Sequence, residues 1–258
     1  MSANPAIHET PSVRDRVSAA EWRVRCDLAA CYRLIARHGW DDLIYTHISA
    51  RVPGGDDHYL INPFGLHFHE ITASSLVKVD GDCNILLETG WSVNPAAFII
   101  HGAIHRARTD AGCVLHLHTV AGSAVSAQAR GLLPITQTAL LFQGRTAYHD
   151  YEGLALEEDE CDRLVADLGE ASAMILRNHG TLTVGPTVAK AYVFMNFLEK
   201  ACQMQIAAQA GGAELVIPSP EVQAKVPAQI QAVFASSDSL EWPGLIRLLE
   251  REAPDYKT

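Results

Sequence analysis

CVLHLHT, residues 113–119, is the stretch from which the fold reads outward. It is a short apolar run dotted with histidine, the pattern of a buried strand. Side chains alternate along a strand, so His116 and His118 share one face and Leu115 and Leu117 the other. Upstream, Asn94-Pro95 is an N-cap and first-turn pair that predicts a helix to about Arg108. Downstream, residues 120–130 read as a helix rich in small residues.

Strand-like runs recur on both sides. DLIYTHISARV (42–52) and HYLINPFG (58–65) flank the turn sequence PGGDD. LVKVD (76–80) and NILLE (84–88) flank Gly81-Asp82, a hairpin signal. SAMILR (172–177) and TLTVG (181–185) read as two more buried strands. A Ser-x-x-Glu capping box at Ser18 and Glu21 opens a helix to near His38, with Gly39 as its stop. Further helices are expected over 157–168, from Pro186 to Gly211-Gly212, and over 220–235 and 239–252. Helices alternating with strands and hairpins predict an α/β fold, a mixed sheet covered by helices on both faces. Residues 1–17 read as a loose arm. No linker divides the chain, so 1–258 is expected to form a single domain with 213–258 as a C-terminal helical extension.

Composition narrows the function. The chain has 258 residues, of which 48% are hydrophobic and 19% charged, enough to bury a large core. Thirty acidic against 20 basic residues give a net charge of −10, which argues against a nucleic-acid or anionic-membrane partner. A small-molecule substrate remains, anionic or not, since one local arginine or metal outweighs distant charge. Six cysteines without a CxxC pair, four of them in apolar segments, point to reduced thiols in a cytoplasmic protein. The N-terminus has no apolar core of a secretory signal, and no run is long enough to span a membrane.

Twelve histidines prompt a search for metal ligands. His116 and His118 on one strand face suit a single ion, and His179, directly after SAMILR, is the best third donor, with Gly180 letting the backbone turn. Three neutral imidazoles with an open position suit Zn²⁺, and also Fe²⁺ or Mn²⁺. The alternative on spacing alone is a pair of core histidines satisfied by backbone groups.

NPAAFIIHGAIHRARTDAGCVLHLHTVAGSAVSA (94–127), ILRNHGTLTVG (175–185) and INPFGLHFHEITASSLVKVD (61–80) resemble the class II aldolase/adducin family, over about residues 20–212. The resemblance implies a three-layer α/β/α domain with a mainly antiparallel sheet, usually a cyclic homotetramer in the catalytic members. It also implies a divalent metal, zinc first, on His116, His118 and His179. The aldolases carry a catalytic Glu in a Ser-Ser-Glu context, and here that position is Ala97, which cannot move a proton. Their phosphate loop falls on Thr46–Ser49 and on Asn62-Pro63-Phe64-Gly65, where Phe64 replaces a hydroxyl. NPAAF, ITASSLVKV and AYHDYEG (147–153) match the adducin-like branch, here without the long tail that binds spectrin and actin.

Remaining candidates are read with their structural alternatives. His47 sits in the substrate loop and suits a proton shuttle. His101 and His105 share a helix face, and His101 is the candidate acid/base of the two. Arg177 is expected to pair with a substrate carboxylate, Asn178 to orient His179, and Asn62 and Gly65 to contact substrate. His67 and His69, alternating on one side of GLHFHEIT, are expected to be structural, and the Tyr148–Tyr151 cluster a buried network or interface. Two functional classes follow. One is a metal-dependent lyase, by aldol cleavage or decarboxylation, on a small 2-oxo or hydroxy-carbonyl acid, with an Fe(II) oxygenase as a variant of the same site. The other is a non-catalytic adducin-like interaction module.

Overall fold

The computed structural model describes residues 12–54, 57–153, 158–234 and 240–258. Its elements run α1 (Ala19–Arg37), β1 (His47–Arg51), β2 (His58–Ile61), β3 (Val77–Asp80), β4 (Ile85–Leu87), α2 (Pro95–Ala107), β5 (Cys113–Leu117) and α3 (Val120–Ser126). There follow α4 (Gln137–Leu140), β6 (Thr146–His149), α5 (Glu158–Leu168), β7 (Ala173–Leu176), β8 (Gly180–Gly185), α6 (Val188–Gln209), α7 (Pro220–Phe234) and α8 (Glu241–Glu252). The strands form one sheet in the order β4-β3-β2-β1-β5-β8-β7-β6. Every neighbouring pair is antiparallel except β6 and β7.

Period-two alternation splits the core into layers. Cys113, Leu115 and Leu117 of β5 pack with Ile48 and Ala50 of β1 against α1 and α6. Val114 points the other way and joins Leu182, Val184, Ile104 and Leu164, beneath α2 and α5. The expected α/β/α sandwich is therefore present. Trp242, Leu249 and Tyr256 of the C-terminal segment are buried in the same cluster as α1, so that extension packs on the core.

Several boundaries differ from expectation for identifiable reasons. Residues 42–46 do not extend β1. Leu43 and Thr46 take positive φ values of 53° and 65°, and Asp42 bridges Tyr45, so this segment is a tight turn. Phe68–Glu70 is a short 3-10 turn rather than an alternating strand, with the N–H of the preceding His67 donating to Glu70 at 2.9 Å. Pro186 lies outside α6, whose cap is Thr187, accepting from the Lys190 N–H at 3.2 Å. Strand β6, within TAYHDYEG, has no clean alternation of its own and is specified by parallel pairing with β7. Of the expected N-terminal arm, residues 1–11 lie outside the described set, while Val13–Arg16 is an ordered turn whose Arg16 donates to the Glu88 carbonyl at 2.9 Å.

Candidate metal centre

The Nε2 atom of His118 lies 2.9 Å from that of His116 and 2.8 Å from that of His179. The three rings meet at centroid separations of 4.7–4.8 Å. Three neighbouring pieces of backbone deliver them. His116 is the penultimate residue of β5, His118 follows the strand by one residue and keeps its facing, and His179 ends the three-residue turn between β7 and β8.

The far side of each strand histidine is anchored. His116 Nδ1 lies 3.0 Å from the Thr181 carbonyl, which only accepts, so the ring proton is on Nδ1 and Nε2 is bare. His118 Nδ1 faces the Asp42 carboxylate at 3.1 Å, which fixes the same tautomer. Burial, followed by the neighbouring His47, His179 and His118, pushes His116 well below the ordinary histidine value, and burial holds His179 at about 4. With both ring protons on Nδ1, the facing Nε2 atoms of His116 and His118 have no proton to share across 2.9 Å, so a cation is what this donor set fits. Asp42 is invisible to spacing arguments because it reaches the site through the positive-φ turn before β1.

The turn that carries His179 uses its residues differently from the sequence expectation. Asn178, not Gly180, takes the positive φ, at 57°. Asparagine tolerates that region. Gly180 is needed because a Cβ there would lie 2.4 Å from the Leu117 carbonyl oxygen, where β8 passes β5. Ser123 Oγ then donates to the His179 carbonyl at 3.0 Å and fastens the turn to α3.

His47 stands opposite His116 in the β1–β5 register, with ring centroids 5.4 Å apart. Its Nδ1 lies 2.7 Å from His101 Nε2, so the two candidate proton-handling residues are in contact. Burial is the main cause that pushes His47 to about 3. The residue before it, Thr46, is strained at φ 65° and buries its hydroxyl without a partner.

The other candidates are engaged elsewhere. Arg177 lines a shallow cleft with Tyr151 and His179, but its Nη1 donates to the Gln128 and Ala129 carbonyls at 2.9 and 3.3 Å. Its guanidinium also lies 4.5 Å from the centre of the Tyr148 ring. Asn62 is buried, its Oδ1 2.9 Å from the Tyr32 hydroxyl that also meets the backbone of Ile48. Gly65 turns the chain at φ 103°, beside a half-exposed Phe64. Ala97 lies in the first turn of α2, with its side chain outside the described set. His149 is buried and its Nδ1 pairs with the half-exposed Asp167 carboxylate at 2.8 Å.

A profile of the family described as "Class II Aldolase and Adducin N-terminal domain" matches residues 26–206. A solved aldolase II superfamily protein from Pseudomonas syringae is 56% identical, with a TM-score of 0.92 over 95% of this chain and 99% of that one. Alpha-adducin of Rattus norvegicus is 48% identical over 76% of this chain and 28% of its own length. The L-fuculose 1-phosphate aldolase of Glaciozyma antarctica is 28% identical, with a TM-score of 0.81 over 97% of both chains.

Proposed function

This chain belongs to the class II aldolase and adducin family, and from that premise we propose that it is a divalent-metal lyase whose ion is held by His116, His118 and His179. The observation that carries the reading is the convergence of three Nε2 donors whose strand-borne members have their Nδ1 protons committed outward. A bound divalent cation supplies Lewis acidity, which stabilises negative charge developing on substrate oxygens. Zinc is the first candidate, and iron or manganese suits the same imidazoles.

The protein's own residues define the rest. His47, with His101 behind it, is the proton-handling group nearest the three histidines. Ala97 takes the place of the aldolases' carboxylate base, so the reaction is a retro-aldol step served by His47 or a decarboxylation. The substrate is a small unphosphorylated 2-oxo or 2-hydroxy acid. Phe64 stands where the resemblance puts a phosphate-binding hydroxyl, and Asn62 is occupied by Tyr32 rather than turned to an anion. Arg177 meets the substrate carboxylate only through the guanidinium nitrogens that the Gln128 and Ala129 carbonyls leave over.

We also take the chain to be a single domain that assembles as a homotetramer in the cytoplasm. Leu43, Tyr45 and Tyr151 near the histidines are more than half exposed and offer a partner subunit an apolar rim, and all six cysteines are free. The 48% identity to alpha-adducin keeps a second reading, an interaction module with a residual metal site. A screen of 2-oxo and 2-hydroxy acids against metal-loaded and chelated protein separates the two. Turnover that needs the metal and collapses in His47→Ala supports the lyase. Absence of turnover, with a stable protein partner captured at stoichiometric amount, replaces it with the interaction module.

A further inference from the structure

Beneath the three histidines runs a continuous chain of polar contacts. The Ala111 carbonyl lies 2.9 Å from His105 Nδ1, and His105 Nε2 lies 2.7 Å from Ser49 Oγ. The same Oγ lies 2.6 Å from His101 Nδ1, and His101 Nε2 lies 2.7 Å from His47 Nδ1. Ser49, His101 and His105 are all 0% exposed, so no water intrudes to complete or reverse these bonds. Strand β1 presents His47 and Ser49 on one face, and α2 presents His101 and His105 one turn apart.

We propose that this chain is a tautomer lock, in which Ser49 and His105 are positioning residues that keep the His47 proton on Nδ1 and its Nε2 bare. The direction follows from donor counting. A carbonyl only accepts, so His105 carries its proton on Nδ1. A neutral imidazole has one N–H, so His105 Nε2 accepts, and Ser49 donates to it. The serine's single proton is then spent, so Ser49 Oγ accepts from His101 Nδ1. His101 Nε2 is left as an acceptor, and its donor is His47 Nδ1–H. Burial keeps the His101 and His105 rings neutral, as the counting requires. His47 Nε2 has no hydrogen-bond partner among the described residues, and its ring is beside that of His116.

The consequence for chemistry rests on the lyase reading. In the retro-aldol branch His47 Nε2 takes the proton of the substrate hydroxyl. The O–H bond breaks, an N–H bond forms, and the oxygen's electron pair becomes the new carbonyl as the C–C bond opens. The electron pair of that bond stays on the other fragment, and the same proton returns to its carbon from Nε2. A proton relayed inward would leave its charge on His101 or His105, where full burial disfavours an imidazolium, so the relay does not drain the site.

The test is ¹⁵N NMR of histidine-labelled, metal-free protein near neutral pH. His47, His101 and His105 are expected each to show one tautomer, protonated on Nδ1. In Ser49→Ala, His101 and His47 are expected to lose that single form and exchange between two, while Zn²⁺ binding is kept. A wild-type His47 protonated on Nε2, or one whose tautomer is untouched by Ser49→Ala, overturns the lock. The wild-type spectrum decides the direction even if the variant does not fold. A wrong tautomer in a protein that binds Zn²⁺ sinks the lock alone. Correct tautomers in a protein that binds no metal sink the lyase reading alone.

Discussion

Each strand histidine at the centre gives its Nδ1 proton to a fixed acceptor, a backbone carbonyl for His116 and the Asp42 carboxylate for His118. Outer partners of this kind set ring orientation and donor strength, and losing one typically lowers metal affinity about 10- to 100-fold. Asp42→Ala is therefore expected to weaken Zn²⁺ binding by roughly that factor in a competition titration, without unfolding the chain. A second expectation concerns acid. His47 and His105 titrate at about 3 in the fold, against 6.5 for an ordinary histidine. In that window the unfolded chain binds more protons, so stability is full above about pH 6.5 and falls as pH is lowered towards 3. Denaturant midpoints of metal-free protein at pH 7 and pH 5 should show the loss, and His105→Gln should flatten it. The paired spacing of His116 and His118 was legible because period two needs no tertiary knowledge. Ser49 was not, because nothing local marks a serine that will lie between two helix histidines.

The third donor depends on how two strands end. His179 is placed by the β7–β8 turn, and that turn is pressed against β5 by the missing side chain of Gly180. Gly180→Ala forces a Cβ to within 2.4 Å of the Leu117 carbonyl, so the strand ends must separate. The expected result is destabilisation of about 2–3 kcal/mol and a large loss of metal affinity, read by thermal unfolding with and without Zn²⁺. The helices were legible from their caps: Ser18 accepts from the Glu21 N–H at 3.0 Å and Gly39 takes φ 65°. Glu21 does not close the reciprocal half of the box, because its carboxylate is drawn into a buried pair with Arg25 and Lys78 at 2.9 Å each. Strand β6 and the turn before β1 were not legible, because sheet pairing and the Asp42–Tyr45 bridge, not local pattern, define them.

At the scale of the whole molecule, an α/β/α sandwich brings β1, β5, β8 and α2 together, and with them every histidine of the centre and the lock. The family and its fold were legible because long motifs carry them, whereas the proposed substrate rests on single side chains such as Phe64 and Ala97 that depart from the aldolases. Those departures predict turnover of L-fuculose 1-phosphate far below that of a dedicated aldolase, although a fuculose-phosphate aldolase shares this fold. Sedimentation is expected to show a tetramer, and a 28.0 kDa monomer at micromolar concentration would remove the subunit rim from the account. The central claim is the metal itself. Elemental analysis of protein purified without added metal should find one divalent ion per chain in the wild type and almost none in His116→Ala or His179→Ala. Full occupancy in either variant, or a folded wild type that takes up no divalent ion, contradicts it.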